Sequence, residues 1–67
     1  MKYELKDEYI ELFKLLKVLD LVDSGAQAKF LIADGYALRN GEVELRKRAK
    51  IRKGDVIEIA DVKIEVV

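Results

Sequence analysis

The chain contains no cysteine and no histidine in its 67 residues. A domain of this size buries only about 60% of the surface that its unfolded chain exposes, and small scaffolds often add disulfides or a structural metal. Disulfides and the Cys and His ligands of structural zinc are excluded here. The fold must therefore be held by apolar packing, and 51% of the residues are apolar. We expect residues 1–67 to form a single domain without a metal or a cofactor.

Apolar periodicity predicts a short first strand followed by two helices. Four leucines in residues 12–19 recur with the spacing of one helix face, and we expect this helix to end between Val18 and Val22. Ser24 is a favourable N-cap for the second helix because its hydroxyl can accept a hydrogen bond from a first-turn amide. Gly35 suits the left-handed position that follows a helix.

The remaining sequence has the period of strands. Asn40-Gly41 is a strong hairpin signal between residues 36–39 and 42–45, and two further strands are expected at residues 56–59 and 62–66. The predicted fold is therefore α+β, in the order strand, two helices, hairpin, basic loop and two strands. We expect one core that contains Leu12, Leu16, Leu19, Leu31, Ile32, Val56, Ile59 and Ile64.

Positive charge is concentrated in one segment, although the chain has zero formal net charge. Six of the eight residues Arg46 to Lys53, called the basic run below, are Lys or Arg. Residues 24–54 have a net charge of +5, whereas residues 1–23 have −2 and residues 55–67 have −3. The field of a folded domain follows this distribution rather than the total. The pattern favours an anionic partner such as a nucleic acid, whose neutralised phosphates release counterions.

The amino end of the predicted second helix is also suited to an anion. Ser24, Gly25 and Ala26 would offer free backbone amides there, and Gly25 would let a phosphate approach closely. Lys29 projects from the same helix. Taken alone, Ser24 and Gly25 are better interpreted as a helix start that binds nothing.

Catalysis has little material in this sequence. Without His or Cys, a serine has no neighbouring base and there is no thiol nucleophile. The thirteen acids are scattered among lysines, and neither a calcium loop nor a phosphate-binding loop occurs. We therefore expect a non-enzymatic protein. No apolar run approaches a membrane span and residues 1–10 do not resemble a signal peptide, so we expect a cytoplasmic protein without membrane contact.

Four stretches occur in a characteristic order: "SGAQAKFLIADG", "NG", "RKRAKI" and "KGDVIEI". Together they resemble the alpha-L RNA-binding motif of the S-four-like domain, in particular the free-standing YbcJ-type bacterial proteins, over about residues 12–66. The resemblance implies two short helices packed beside a small, mostly antiparallel sheet, with RNA lying across the second helix and the adjoining strands. It implies a non-catalytic protein that binds structured RNA, with ribosomal or transfer RNA favoured.

Carried over by motif, candidate RNA-binding residues lie on the second helix and in the basic run, and Arg39 in the strand before Asn40 is a further candidate. Two of the candidates depart from the family pattern. Gly25 stands where many members have arginine, so one side-chain contact is missing. Arg39 stands where an apolar residue is usual, so it either lies at a sheet edge and reaches solvent or belongs to a strand with shifted pairing. The candidates are Ser24, Gly25, Gln27, Lys29, Arg39, Arg46, Lys47, Arg48 and Lys50.

The geometry of the basic run can be anticipated if the segment is extended. Alternation then places Arg46, Arg48 and Lys50 on one face, and Lys47 points away from it unless the loop twists. Tyr36 is the one aromatic residue near the basic run. We expect it to close the core over the hairpin, and stacking on a base is the alternative.

Other functions stay open at this point. A protein-interaction module that binds an acidic partner through the basic run would have the same electrostatics, and a merely solubilising loop would bind nothing. Duplex DNA is disfavoured because neither predicted helix combines a basic exposed face with the length of a major-groove reader. Nothing in the sequence demands a dimer, so we expect a monomer.

Overall fold

The computed structural model describes residues 1–67 and contains two helices and seven short strands. The predicted order of strand, two helices, hairpin, basic loop and two strands is confirmed. Two strands of two residues each are additional, one before the first helix and one inside the basic run. The elements are β1 (Lys2–Tyr3), β2 (Ile10–Glu11), α1 (Leu12–Val18), α2 (Gly25–Ala33), β3 (Ala37–Arg39), β4 (Glu42–Val43), β5 (Lys50–Ile51), β6 (Val56–Ile59) and β7 (Val62–Val66).

Five of the strands form one sheet in the order β1-β7-β6-β3-β4. Only the β1–β7 pairing is parallel, and the other pairings are antiparallel, so the mostly antiparallel sheet is confirmed. β2 and β5 form a separate antiparallel ribbon, in which Ile10 lies opposite Ile51 and Glu11 lies opposite Lys50. The ribbon connects the segment before α1 to the basic run.

Three predictions about turns and helix ends are confirmed. The Ser24 hydroxyl accepts a hydrogen bond of 3.2 Å from the Gln27 amide and caps α2. Gly35 follows α2 with a φ of 85°, a left-handed conformation that disfavours residues with a Cβ. Asn40 and Gly41 have φ values of 52° and 87°, and both are positive as a type I′ hairpin turn requires.

One apolar core lies between the helices and the sheet. The expected burial of Leu12, Leu16, Ile32, Ile59 and Ile64 is confirmed, and the half-buried Leu19 and Leu31 pack against the same cluster. The other buried side chains in this core belong to Leu5, Leu15, Val22, Ala28, Ala37, Ala49, Ile51, Ile57 and Val66.

The predicted core position of Val56 is wrong. Side chains alternate between the two faces of a strand, so Val56 and Ile59 cannot both point into one core from β6. The structure buries Ile57 and Ile59 and leaves Val56 half-buried.

Neither helix has the length and apolar composition needed to cross a bilayer.

Candidate functional site

The basic run is held against the amino end of α1 by backbone hydrogen bonds. The first amides of a helix lack acceptors within the helix, and no side chain caps α1. Instead, the amides of Leu12 and Phe13 donate to the carbonyl oxygens of Ala49 and Lys47, each at 3.0 Å. Ala49 is only 4% exposed. The basic run therefore has a fixed path beside α1, although most of its side chains are exposed.

The basic run is not extended along its length, so the condition for strict alternation of its side chains is not met. A turn at residues 47–48 interrupts the segment, with the Ala49 amide donating to the Arg46 carbonyl at 3.1 Å, and only Lys50 and Ile51 belong to a strand. The side chains do not alternate strictly, because the carbonyls of Lys47 and Ala49 bond to the amino end of α1. Only Lys50 and Ile51 pair with another strand. Arg46, Arg48 and Lys50 nevertheless border one small depression together with Arg39.

A groove runs between α2 and the basic run and brings Lys29 together with Arg46, Lys47 and Arg48. Lys29 is half-buried, and its ammonium nitrogen lies 5.2 Å from the centre of the Phe13 ring. This distance is within the range of a cation–π contact. Because the Phe13 amide also bonds to the basic run, Phe13 links Lys29 to that segment.

The amino end of α2 is occupied mostly by its own cap. In addition to the Ser24–Gln27 hydrogen bond, the Gln27 side-chain oxygen accepts a bond of 2.6 Å from the Asp23 amide. The amides of Gly25 and Ala26 precede the first intrahelical bonds of α2 and stay available to an anion. A Cβ at Gly25 would lie 3.9 Å from the Phe13 ring, an ordinary contact. The structure therefore places Ser24 and Gln27 in the helix cap and leaves only main-chain donors free.

Arg39 lies in the interior strand β3, so the first of its two alternatives, a position at a sheet edge, is wrong. Its guanidinium donates to the Lys50 carbonyl at 2.8 Å and to an Asp55 carboxylate oxygen at 3.0 Å, and it lies 3.6 Å from Glu44. The Glu44 carboxylate also receives two hydrogen bonds from the Arg46 guanidinium, which lower the pKa of Glu44. Arg39 therefore supports the basic run from beneath, and part of the positive charge of Arg46 is compensated.

The cations that make no ion pair in the basic run include Lys47, Arg48 and Lys50. Lys50 lies with its ammonium nitrogen 5.1 Å from the centre of the Tyr9 ring.

Tyr36 is 60% exposed, so the expectation that it closes the core is wrong. The side chain projects outward because its neighbour Ala37 takes the inward position at the start of β3.

Three residues that support the site were outside the sequence-based set of candidates. Phe13 follows Leu12 but lies off the helix face that the leucines share. This position was the available sequence signal that Phe13 has a role outside the core. Asp55 accepts hydrogen bonds from the Arg52 amide, Arg39 and Asn40, but its sequence suggests only a turn. Glu44 gives no sequence signal. No three acidic side chains come together in an arrangement that would hold a metal ion.

The environment of Asp55 predicts a dependence of stability on pH. Burial alone would raise the pKa of Asp55, but hydrogen bonds from the Arg52 amide, Asn40 and Arg39 outweigh this effect and lower the pKa below its ordinary value of 3.8. A group with a lowered folded-state pKa stabilises the fold above its unfolded pKa, and this stabilisation is lost as pH falls through the folded pKa. We expect the free energy of unfolding to decrease from about pH 5 downward.

Urea unfolding at several pH values would measure this effect. Asp55→Asn should show a shallower decrease in acid than the wild type, because the substituted side chain cannot be protonated. Asp61→Asn is a matched control, since Asp61 is exposed and makes no side-chain hydrogen bond. An acid dependence as steep in Asp55→Asn as in the wild type would contradict the assignment.

The chain matches a known family model and named relatives. The model described as S4 domain matches residues 3–67. The protein named "Putative RNA-binding protein YbcJ" of Escherichia coli (strain K12) is 44% identical over 62 residues, which cover 92% of this chain and 89% of that protein. The protein named "Probable ribosome maturation protein RlbA" of Bacillus subtilis (strain 168) is 38% identical over 52 residues, covering 78% of this chain and 73% of RlbA.

Two solved structures share the fold. The first is the solution structure of YbcJ from E. coli, reported to contain an alpha-L motif involved in RNA binding. It matches with a TM-score of 0.75 at 42% sequence identity, and the match covers 98% of this chain and 85% of that chain. The crystal structure of 30S ribosomal protein S4e from Thermoplasma acidophilum matches with a TM-score of 0.70 at 27% identity, over 87% of this chain and 31% of that chain. The alpha-L fold expected from the sequence is confirmed, and the chain belongs to the S4 domain family.

Proposed function

We propose that this protein is a non-catalytic RNA-binding protein that uses α2 and the basic run as one surface. The observation that carries the proposal is the groove in which Lys29 of α2 meets three consecutive cations of the basic run. Backbone bonds to α1 fix the path of the basic run, so little conformational freedom of the main chain is lost when RNA binds. The cations that we assign to this RNA-binding surface are Lys29, Lys47, Arg48 and Lys50.

The proposed binding mode is recognition of backbone and shape. The base edges of A-form RNA lie in a deep and narrow major groove, so proteins contact its phosphates and hydroxyls instead. Lys47, Arg48 and Lys50 contact phosphates directly, because no carboxylate competes for them. The Gly25 and Ala26 amides add main-chain donors at the end of α2. Arg39, and in part Arg46, hold this surface in place through Glu44 and Asp55.

The proposed target is structured ribosomal or transfer RNA. Support comes from the names of the relatives, one of which is called an RNA-binding protein and another a ribosome maturation protein. The structural match to 30S ribosomal protein S4e points in the same direction. We propose that the protein acts as a monomer in the cytoplasm. We also propose that it acts without catalysis, since the carboxylates of Glu44 and Asp55 beside the basic run are engaged in ion pairs with Arg39.

Copurification tests the function. Protein purified at low salt should carry nucleic acid that ribonuclease removes and deoxyribonuclease does not. Purified protein should then rebind transfer RNA in a salt-dependent titration. Salt dependence alone does not separate RNA from an acidic protein partner, because both interactions are electrostatic. Purified protein that binds no structured RNA, even at low salt, would contradict the proposal.

Substitutions of Ser24 separate its role in the helix cap from a role in RNA binding. Ser24→Ala should lower the free energy of unfolding by about 1 kcal/mol through loss of the cap. Ser24→Asp should keep the cap, since Asp is as favourable as Ser at this position, but should weaken RNA binding by placing a carboxylate beside the proposed phosphate. Urea unfolding and RNA titration measure the two effects.

Ser24→Asn is the matched control because it keeps the cap and the shape of Asp without the charge. We expect Ser24→Asn to bind RNA as tightly as the wild type. Equal affinities of the Asp and Asn variants would show that the amino end of α2 does not face the phosphates.

A further inference from the structure

The groove between α2 and the basic run has an apolar floor that phosphate binding does not explain. Phe30 is 72% exposed and Leu45 is 60% exposed, and both line this groove with Ala26 and Ala33. The buried residues of α2, in contrast, are Ala28 and Ile32, so Phe30 lies on the outward side of the helix. An exposed aromatic ring beside an exposed leucine forms a contiguous apolar patch rather than an isolated surface residue.

The charged residues at the rim of the same groove indicate what kind of ligand it can bind. Lys29, Arg46, Lys47 and Arg48 border the apolar floor, and Asp34 is the only acidic residue among the lining residues. A complementary occupant needs a flat apolar part and an anionic part a short distance away. A nucleotide has both, because its base can stack on an aromatic ring while its phosphate meets the cations. A base inside a duplex has no free face, so the nucleotide must be unpaired.

We propose that the groove binds one unpaired nucleotide of a structured RNA, with its base stacked on Phe30 and its flanking phosphates at Lys47 and Arg48. The inference rests on the proposed RNA-binding function and deepens it by specifying the RNA element. The preferred target carries a bulged or looped-out nucleotide next to a duplex. The duplex contacts the remaining cations of the proposed surface, Lys29 and Lys50. The unpaired base adds an apolar contact that a fully paired stem cannot provide.

Two RNA hairpins test the proposal. One has a fully paired stem, and the other differs only by one extra unpaired adenosine within the stem. Base–aromatic stacking is strong enough for the wild type to favour the bulged hairpin by at least about fivefold. Phe30→Ala should bind the two hairpins with equal affinity while keeping its affinity for the paired one, and Phe30→Trp should keep the preference. Fluorescence anisotropy titrations at one salt concentration measure all of these affinities.

Tyr36→Ala is the matched control, because Tyr36 is also an exposed aromatic residue but does not line the groove. This variant should keep the wild-type preference for the bulged hairpin. Equal binding of both hairpins by the wild type would overturn the stacking inference, leave the proposed function intact and point to a protein segment on the apolar floor. Binding of neither hairpin would overturn the proposed function as well. The exposure of Phe30 allows its substitution without loss of the fold, and circular dichroism checks this.

Discussion

Replacing Ile51 with alanine should remove a large part of the stability of the protein. Ile51 is completely buried, and it lies in β5 opposite Ile10 of β2. Substitution of a buried isoleucine by alanine costs about 2–5 kcal/mol through lost burial and the cavity left behind. The total stability of a chain of this length is about 3–10 kcal/mol, at the usual value per residue. Urea unfolding should therefore show a much lower midpoint for Ile51→Ala, with a similar dependence on urea.

The same experiment has a control on α1 and a second readout in the basic run. Val18→Ala should change the free energy of unfolding little, since Val18 is 60% exposed. In Ile51→Ala, amide hydrogen exchange at Leu12 and Phe13 should speed up, because these amides donate to the basic run that β5 holds in place. A loss of less than about 1 kcal/mol would show that the β2–β5 ribbon contributes little to the core.

Replacing Lys47, Arg48 and Lys50 together with alanine should abolish most of the electrostatic part of RNA binding. These three cations lack ion-pair partners, whereas Arg46 is bonded to Glu44, so Arg46 is left in place. Each lost phosphate contact lowers the slope of log affinity against log salt by about 0.7 to 0.9 units, and the loss of three lowers it by about 2 to 3 units. If both proteins bind equally at 1 M salt, the variant should bind about 50- to 200-fold more weakly at 0.15 M.

A charge-matched variant at the other edge of the sheet is the control. Lys2, Lys6 and Lys63 lie on or next to β1 and β7, and β4, which precedes the basic run, is at the opposite edge. Their replacement by alanine removes the same net charge and should lower the slope much less. The fold should survive in both variants, because all six side chains are exposed. Equal losses in the two triple variants would show that net charge, rather than the proposed surface, determines binding.

Local signals predicted most of the fold. The spacing of the leucines set the phase of α1, the hydroxyl of Ser24 set the start of α2, and the Asn40-Gly41 pair set the hairpin. These features depend on residues a few positions apart, so the sequence contains their physical cause. The error at Val56 is also local, because alternation within β6 is enough to exclude it from the face of Ile59.

The unpredicted features depend on contacts between distant segments. The carbonyls of residues 47 and 49 cap α1 in place of a side chain, and a main-chain acceptor leaves no mark in the sequence. Arg39 meets the Lys50 carbonyl and Asp55, which are 11 and 16 residues away. The candidate site could therefore be predicted as a set of cations. Its division into supporting residues such as Arg39 and available ones such as Lys47 required the folded arrangement.

Crosslinking in living cells followed by sequencing of the bound RNA tests the central proposal most directly. The wild type and the Lys47, Arg48 and Lys50 triple variant should be expressed at equal levels and crosslinked in parallel. We predict that the wild type recovers mainly ribosomal or transfer RNA at defined structured positions, and that the triple variant loses these positions. Equal recovery by the two proteins, or the absence of enriched RNA with the wild type, would contradict RNA binding by the basic run.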